Sequence, residues 1–81
     1  MLMNMLISLM PEKDFMTSID YVDDGLLDSI DILLLVSEIE REFNILIDPL
    51  DIIPENFNTL EAIEKLINKT QTMQINIGNN I

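Results

Sequence analysis

The stretch from Ser29 to about Phe43 constrains the fold more than any other part of the chain. Ile32, Leu35, Val36, Ile39 and Phe43 recur at helical spacing and fall on one side of a helix, which predicts a buried stripe. Glu38, Glu40 and Glu42 lie on its flanks. A helix patterned this way hides its stripe only by packing on other elements, so helices must surround it. The opposite side carries Ile30, Leu33, Leu34, Ser37 and Arg41. Three large apolar residues facing away from a core stripe admit two explanations. Either a small helical domain covers most of this helix, or the outer face docks a partner; the second is favoured.

The start of this helix is marked residue by residue. Gly25 gives the acidic segment before it the backbone freedom to bend. Asp28 stands where an N-cap belongs, with Asp31 three residues later in a short-armed capping box. Ser29 then takes the first helical position, beside unpaired backbone N–H groups. A phosphate attached there would lie at the positive end of the helix, where an anion is favoured.

On either side of that helix the pattern is weaker. Met3, Leu6, Ile7 and Met10 predict a first helix over residues 2–10, stopped by Pro11. Residues 11–27 form a long connection without period, for which Phe15, Ile19, Tyr21 and Val22 are the expected anchors. After an apolar connector at 44–47, Asp48-Pro49 predicts a third helix of about one turn, ended by Pro54. Phe57 interrupts a polar loop and is expected to plug the core. Asn58 with Glu61 suggests another capping box, and Leu60, Ile63, Leu66 and Ile67 give a last helix its stripe. That helix is expected to end near Lys69, whose charge suits a helix C-terminus. Thr70 to Ile81 is rich in Asn and Gln and reads as a mobile tail. The fold class is all-α: three main helices and one short third helix in a four-helix bundle, with a long loop between helices 1 and 2. Residues 1–69 form the domain, and 70–81 the tail.

Charge narrows the function. Fifteen acidic against four basic residues give a net charge of −11, so nucleic acid, which needs clustered Lys and Arg, is excluded as a partner. Basic surfaces of other proteins fit better. An apolar fraction of 48% still allows a core, so the chain is not a disordered acidic one. With no cysteine there is no disulfide framework. Met1 to Met10 is too short to span a membrane and lacks the basic region and cleavage site of a signal peptide, so a cytoplasmic monomer is expected. Hydrolytic use of Ser29 is excluded, since the chain has no histidine to act as base. Asp20, Asp24, Gly25 and Asp31 fall at positions one, five, six and twelve of a calcium loop, but Val22 at position three offers no side-chain oxygen. Weak divalent-cation binding by Asp20, Asp23, Asp24, Asp28 and Asp31 is an alternative; a dedicated metal site is not expected. A further alternative is an acidic helical interaction module without a prosthetic group.

Gly25-Leu26-Leu27-Asp28-Ser29-Ile30-Asp31 resembles the prosthetic-group attachment site of the acyl carrier and peptidyl carrier protein family. Glu40 to Ile47 and Pro54 to Leu60 resemble its later landmarks, in the same order. The resemblance extends over roughly residues 2–69. It implies an acyl-carrier-type bundle that is not an enzyme, with 4'-phosphopantetheine from coenzyme A attached covalently to Ser29, between Asp28 and Asp31. It implies a free-standing carrier that holds acyl or aminoacyl groups as thioesters. The implied partners are a phosphopantetheinyl transferase, a loading ligase and downstream acyl-transfer enzymes, for which the outer face of Ile30, Leu33, Leu34, Ser37 and Arg41 is the expected docking surface. Gly-Leu-Leu-Asp-Ser is more similar to D-alanyl and peptidyl carriers than to fatty acid carriers.

Overall fold

A computed structural model of the chain describes residues 2–79, with side chains described as far as Met73. Three helices run in order: α1 (Leu2–Leu9), α2 (Ser29–Phe43) and α3 (Leu60–Asn79). The expected short third helix is a 3-10 turn at Pro49–Asp51, and a second 3-10 turn follows at Pro54–Asn56. Asp48 caps the first, its carboxylate accepting the Leu50 N–H at 2.9 Å. No strand occurs among the described residues.

The stripe of α2 builds the core as its spacing predicts. Ile32, Leu35, Val36 and Ile39 are buried, and Phe43 packs against them half-buried. From α3, Ile63, Leu66 and Ile67 close on the same centre, and Phe57 plugs it fully buried. α1 meets this core along a different row from the expected one. Leu2, Leu6 and Met10 are buried, an i, i+4, i+8 line, while Ile7 is exposed and Met3 half-buried. A helix apolar nearly all round does not declare its phase, and packing against α3 selects the Leu2–Leu6 row.

The long loop is pinned by its own side chains. Phe15 and Tyr21 are buried in an edge-to-face pair with ring centroids 5.1 Å apart. Burial, with the nearby Glu61 charge adding to it, pushes the Tyr21 phenol pKa up. The Tyr21 carbonyl accepts from both Leu26 (2.8 Å) and Leu27 (2.9 Å), and its N–H donates to the Asn58 carbonyl at 2.7 Å. Val22 packs half-buried as expected. Ile19 does not anchor anything: it is 86% exposed. The Asp20 carboxylate folds back onto the N–H groups of Val22 and Asp23, turning the chain so that Tyr21 points inward and Ile19 stays outside.

Two expectations about α3 are corrected. Its cap is Thr59, whose hydroxyl accepts the Ala62 N–H at 3.0 Å; the Asn58 carbonyl is already engaged by Tyr21, and the helix begins one residue later. The helix also runs past Lys69 to Asn79. No proline interrupts it there, and polar side chains cost only about a few tenths of a kcal/mol each in helix propensity. Thr70 is buried, with its hydroxyl donating back to the Leu66 carbonyl at 2.8 Å. From Gln74 on, the expected tail has side chains outside the described residues. Lys69 therefore caps nothing and instead pairs with Asp51 at 3.2 Å, tying α3 to the first 3-10 turn.

Candidate functional site

The start of α2 is built as a closed local circuit. The Asp28 carboxylate accepts the Asp31 N–H at 2.8 Å, and the Asp31 carboxylate accepts the Asp28 N–H at 3.3 Å, completing the capping box. The Ile32 N–H donates to the Asp28 carbonyl at 2.9 Å. Ser29 is the first helical residue and its side chain is exposed. No acceptor among the described residues takes the Ser29 or Ile30 N–H. Gly25, at φ +77, supplies the left-handed turn that brings the chain to this point.

Behind this circuit stands Lys13, which sequence reasoning missed. Its Nζ donates to the Leu26 carbonyl and to the Asp31 carboxylate, each at 2.6 Å, and both side chains are mostly shielded from solvent. The hydrogen bond from Lys13 is the main reason that the Asp31 carboxyl is held below the usual carboxylate range. Eighteen residues separate the partners, so no local pattern announces the pair.

Chemically, the arrangement offers an accessible hydroxyl and unpaired helix-terminal donors, without a group to activate the oxygen. The chain has no histidine, and Lys13 is engaged by Asp31 and Leu26. Such a site suits a phosphate ester, whose oxygens the helix start would favour, and does not suit an attacking alkoxide. The acidic side chains at the calcium-loop positions are engaged within the chain. Asp20 binds its own backbone, Asp24 accepts the Ser18 hydroxyl at 2.6 Å, and Asp31 pairs with Lys13. No group of three or more acidic side chains converges among the described residues.

Along the outer face of α2, Ile30, Leu33 and Leu34 are 70%, 56% and 53% exposed, and Ser37 and Arg41 are exposed beyond them. The competing expectation, that the domain covers this face, is thereby overturned. Arg41 is engaged by Glu38 on its own helix, with Glu42 at 3.9 Å. A shallow depression bounded by Ser37, Arg41 and Leu46 joins this face to the connector, where Ile45 and Ile47 point in and Leu46 points out. Leu46 and Leu50, both exposed, were not singled out by sequence; the in–out alternation at 45–47 was the available signal.

A helical domain that presents an exposed serine beside unpaired helix-terminal donors has a place for a covalently attached phosphate. A family model described as the phosphopantetheine attachment site matches residues 8–67. The chain belongs to this family: it is a phosphopantetheine-carrying protein and not a catalyst. Comparison with curated proteins and with solved structures gave no significant match. No described helix is long and apolar enough to cross a membrane.

Proposed function

We propose that Ser29 is the residue that carries 4'-phosphopantetheine, and that the carrier delivers aminoacyl or specialised acyl groups to enzymes docked on the outer face of α2. The observation that carries this reading is the exposed Ser29 side chain beside the unpaired Ser29 and Ile30 N–H groups. When bound, the group supplies a terminal thiol that holds the cargo as a thioester, chemistry that the chain cannot provide because it has no cysteine. Asp28 and Asp31 hold the helix start in shape, so that a transferase meets Ser29 in one conformation. Tethering then keeps the cargo at high effective concentration for each docked enzyme.

Ile30, Leu33, Leu34, Ser37 and Arg41 form the proposed docking stripe, and its apolar character supports the preference among cargoes. The partner surfaces that suit it are apolar at the centre and basic at the rim, since the chain carries −11. Incubation with coenzyme A, magnesium and a promiscuous phosphopantetheinyl transferase should add one arm, read by intact mass. The Ser29→Ala chain should gain none; an arm on that variant would refute the assignment. Loading of the modified chain by an amino-acid-activating ligase, compared with a fatty-acyl ligase, tests the cargo.

A further inference from the structure

We propose that Lys13 is a positioning residue for the modification of Ser29, holding the long loop and the first turn of α2 in the single geometry that the transferase accepts. This rests on the reading of Ser29 as the attachment residue. Lys13 lies just beyond α1, and its Nζ reaches both ends of the segment that brackets Ser29: the Leu26 carbonyl and the Asp31 carboxylate, each at 2.6 Å.

Each end is then held twice. The Leu26 peptide is fixed through its carbonyl by Lys13 and through its N–H by Tyr21 at 2.8 Å. The Asp31 carboxylate is shared between Lys13 and the Asp28 N–H. Immediately upstream is Gly25, exposed, at positive φ, with nothing within 4 Å of where a Cβ would stand. A glycine in open space restrains nothing, so the rigidity of the helix start comes from the contacts that follow it. Without the ammonium, the Asp31 carboxylate would be left, mostly shielded from solvent, with one 3.3 Å hydrogen bond from the Asp28 N–H.

The other basic side chains stand elsewhere. Arg41 pairs within its own helix, Lys69 ties α3 to Asp51, and Lys65 is exposed on α3. Among the described ion pairs, Lys13–Asp31 alone touches the helix start. Its charge also offsets Asp31 where the pyrophosphate of coenzyme A must approach an acidic surface, so that a Ser29 O–P bond can form as the P–O–P bond breaks and the adenosine bisphosphate half leaves.

The test measures transferase kinetics on the full chain, with coenzyme A saturating and the carrier varied, well below the melting temperature. Lys13→Met should lower kcat/KM by about tenfold, since small misplacements of a reacting group are costly. Most of that loss should sit in KM, because docking requires the ordered helix start. Lys13→Arg, which can still bridge both acceptors, should stay within about threefold of the parent chain. Lys69→Met, which breaks the other ion pair between segments, should leave kcat/KM unchanged. Amide exchange at Leu26 and Leu27 should accelerate in Lys13→Met and stay slow in Lys13→Arg. If Lys13→Met gives no cooperative melt, Lys13→Gln, which keeps a donor for the Leu26 carbonyl without the charge, is read in the same way. Normal modification of the charge-free variant, failure of Lys13→Arg to rescue, or an equal loss in Lys69→Met overturns the inference. A Ser29→Ala chain that still gains the arm overturns both readings. An inert Ser29→Ala chain beside a normal Lys13→Met overturns this one alone.

Discussion

Replacing Asp28 by Ala tests how the helix start is held, and its cost follows from the geometry. The carboxylate accepts the Asp31 N–H at 2.8 Å and closes the capping box. Loss of an N-cap acceptor typically costs about 1 kcal/mol. Removing a negative charge from a helix N-terminus would add about 0.3–1 kcal/mol at low salt. In a chain of net charge −11 the removal of one negative charge is itself favourable, which offsets that contribution. The expected total is therefore about 1 kcal/mol, which in a domain of this size lowers the melting temperature by about 4–8 °C. Asp28→Asn keeps an acceptor without the charge and should recover most of the loss. The gap between the Ala and Asn variants should survive about 1 M salt, where charge effects are screened beyond about 3 Å and a hydrogen bond is not. Circular dichroism melts of the three chains at low and high salt make the measurement. A melt of Asp28→Ala within about 1 °C of the parent, or an Asn variant as damaged as Ala, would refute the capping account.

Two further outcomes are expected. Leu34→Glu should leave the melt nearly unchanged, because substitution at an exposed position typically costs under about 0.5 kcal/mol, while slowing loading by the cognate ligase, since a charge must then be desolvated against an apolar surface; a normal loading rate defeats the docking stripe. The depressed Asp31 pKa contributes stability that is present above the unfolded carboxylate value of about 3.9 and is lost as pH falls through the folded value. The melting difference between the parent and Lys13→Met should accordingly hold steady from about pH 7 to 5 and shrink below about pH 4, and a difference that persists undiminished at about pH 2 would contradict the pairing.

What the sequence disclosed, and what it withheld, divides by the range of the interactions. The bounds of α2, its capping box and its buried stripe all depend on residues within a few positions of one another, and each was legible. The loop was legible only in part, because apolar residues without a period carry no phase. Phe15 and Tyr21 turn inward while Ile19, equally apolar, is left outside by the Asp20 turn. Asn58, the expected cap, gives way to Thr59, whose hydroxyl and carbonyl accept the Ala62 and Ile63 N–H groups, while the Asn58 carbonyl accepts from Tyr21, far away in the chain. The end of α3 is not legible at Lys69, because polar composition does not stop a helix; a stop requires a breaker or a cap. At the candidate site, the capping box and the place of Ser29 at the first helical position are legible from local pattern. Lys13 is not, because its pairing depends on the path of the whole loop.

The placement of Ser29 one residue after the cap has a physical consequence. A serine at the N-cap would itself accept the N–H three residues on, and its hydroxyl would be committed to holding the helix. Here Asp28 takes that duty, and its own N–H is satisfied in turn by Asp31. The box therefore uses the donors of Asp28 and Asp31 and leaves those of Ser29 and Ile30 unpaired, flanking an exposed hydroxyl. On the proposed reading of Ser29, capping and modification fall to different side chains. The helix start can be rigid before any group is attached, and an attached phosphate would meet backbone donors that no side chain has already taken. Shifting the pattern back by one residue, as in Asp28→Ser with Ser29→Ala, would preserve a cap and a serine yet merge the two roles. That chain should melt near the parent and resist modification, since the hydroxyl would then be bound to the Asp31 N–H; efficient modification of it would show that the separation of roles does not matter.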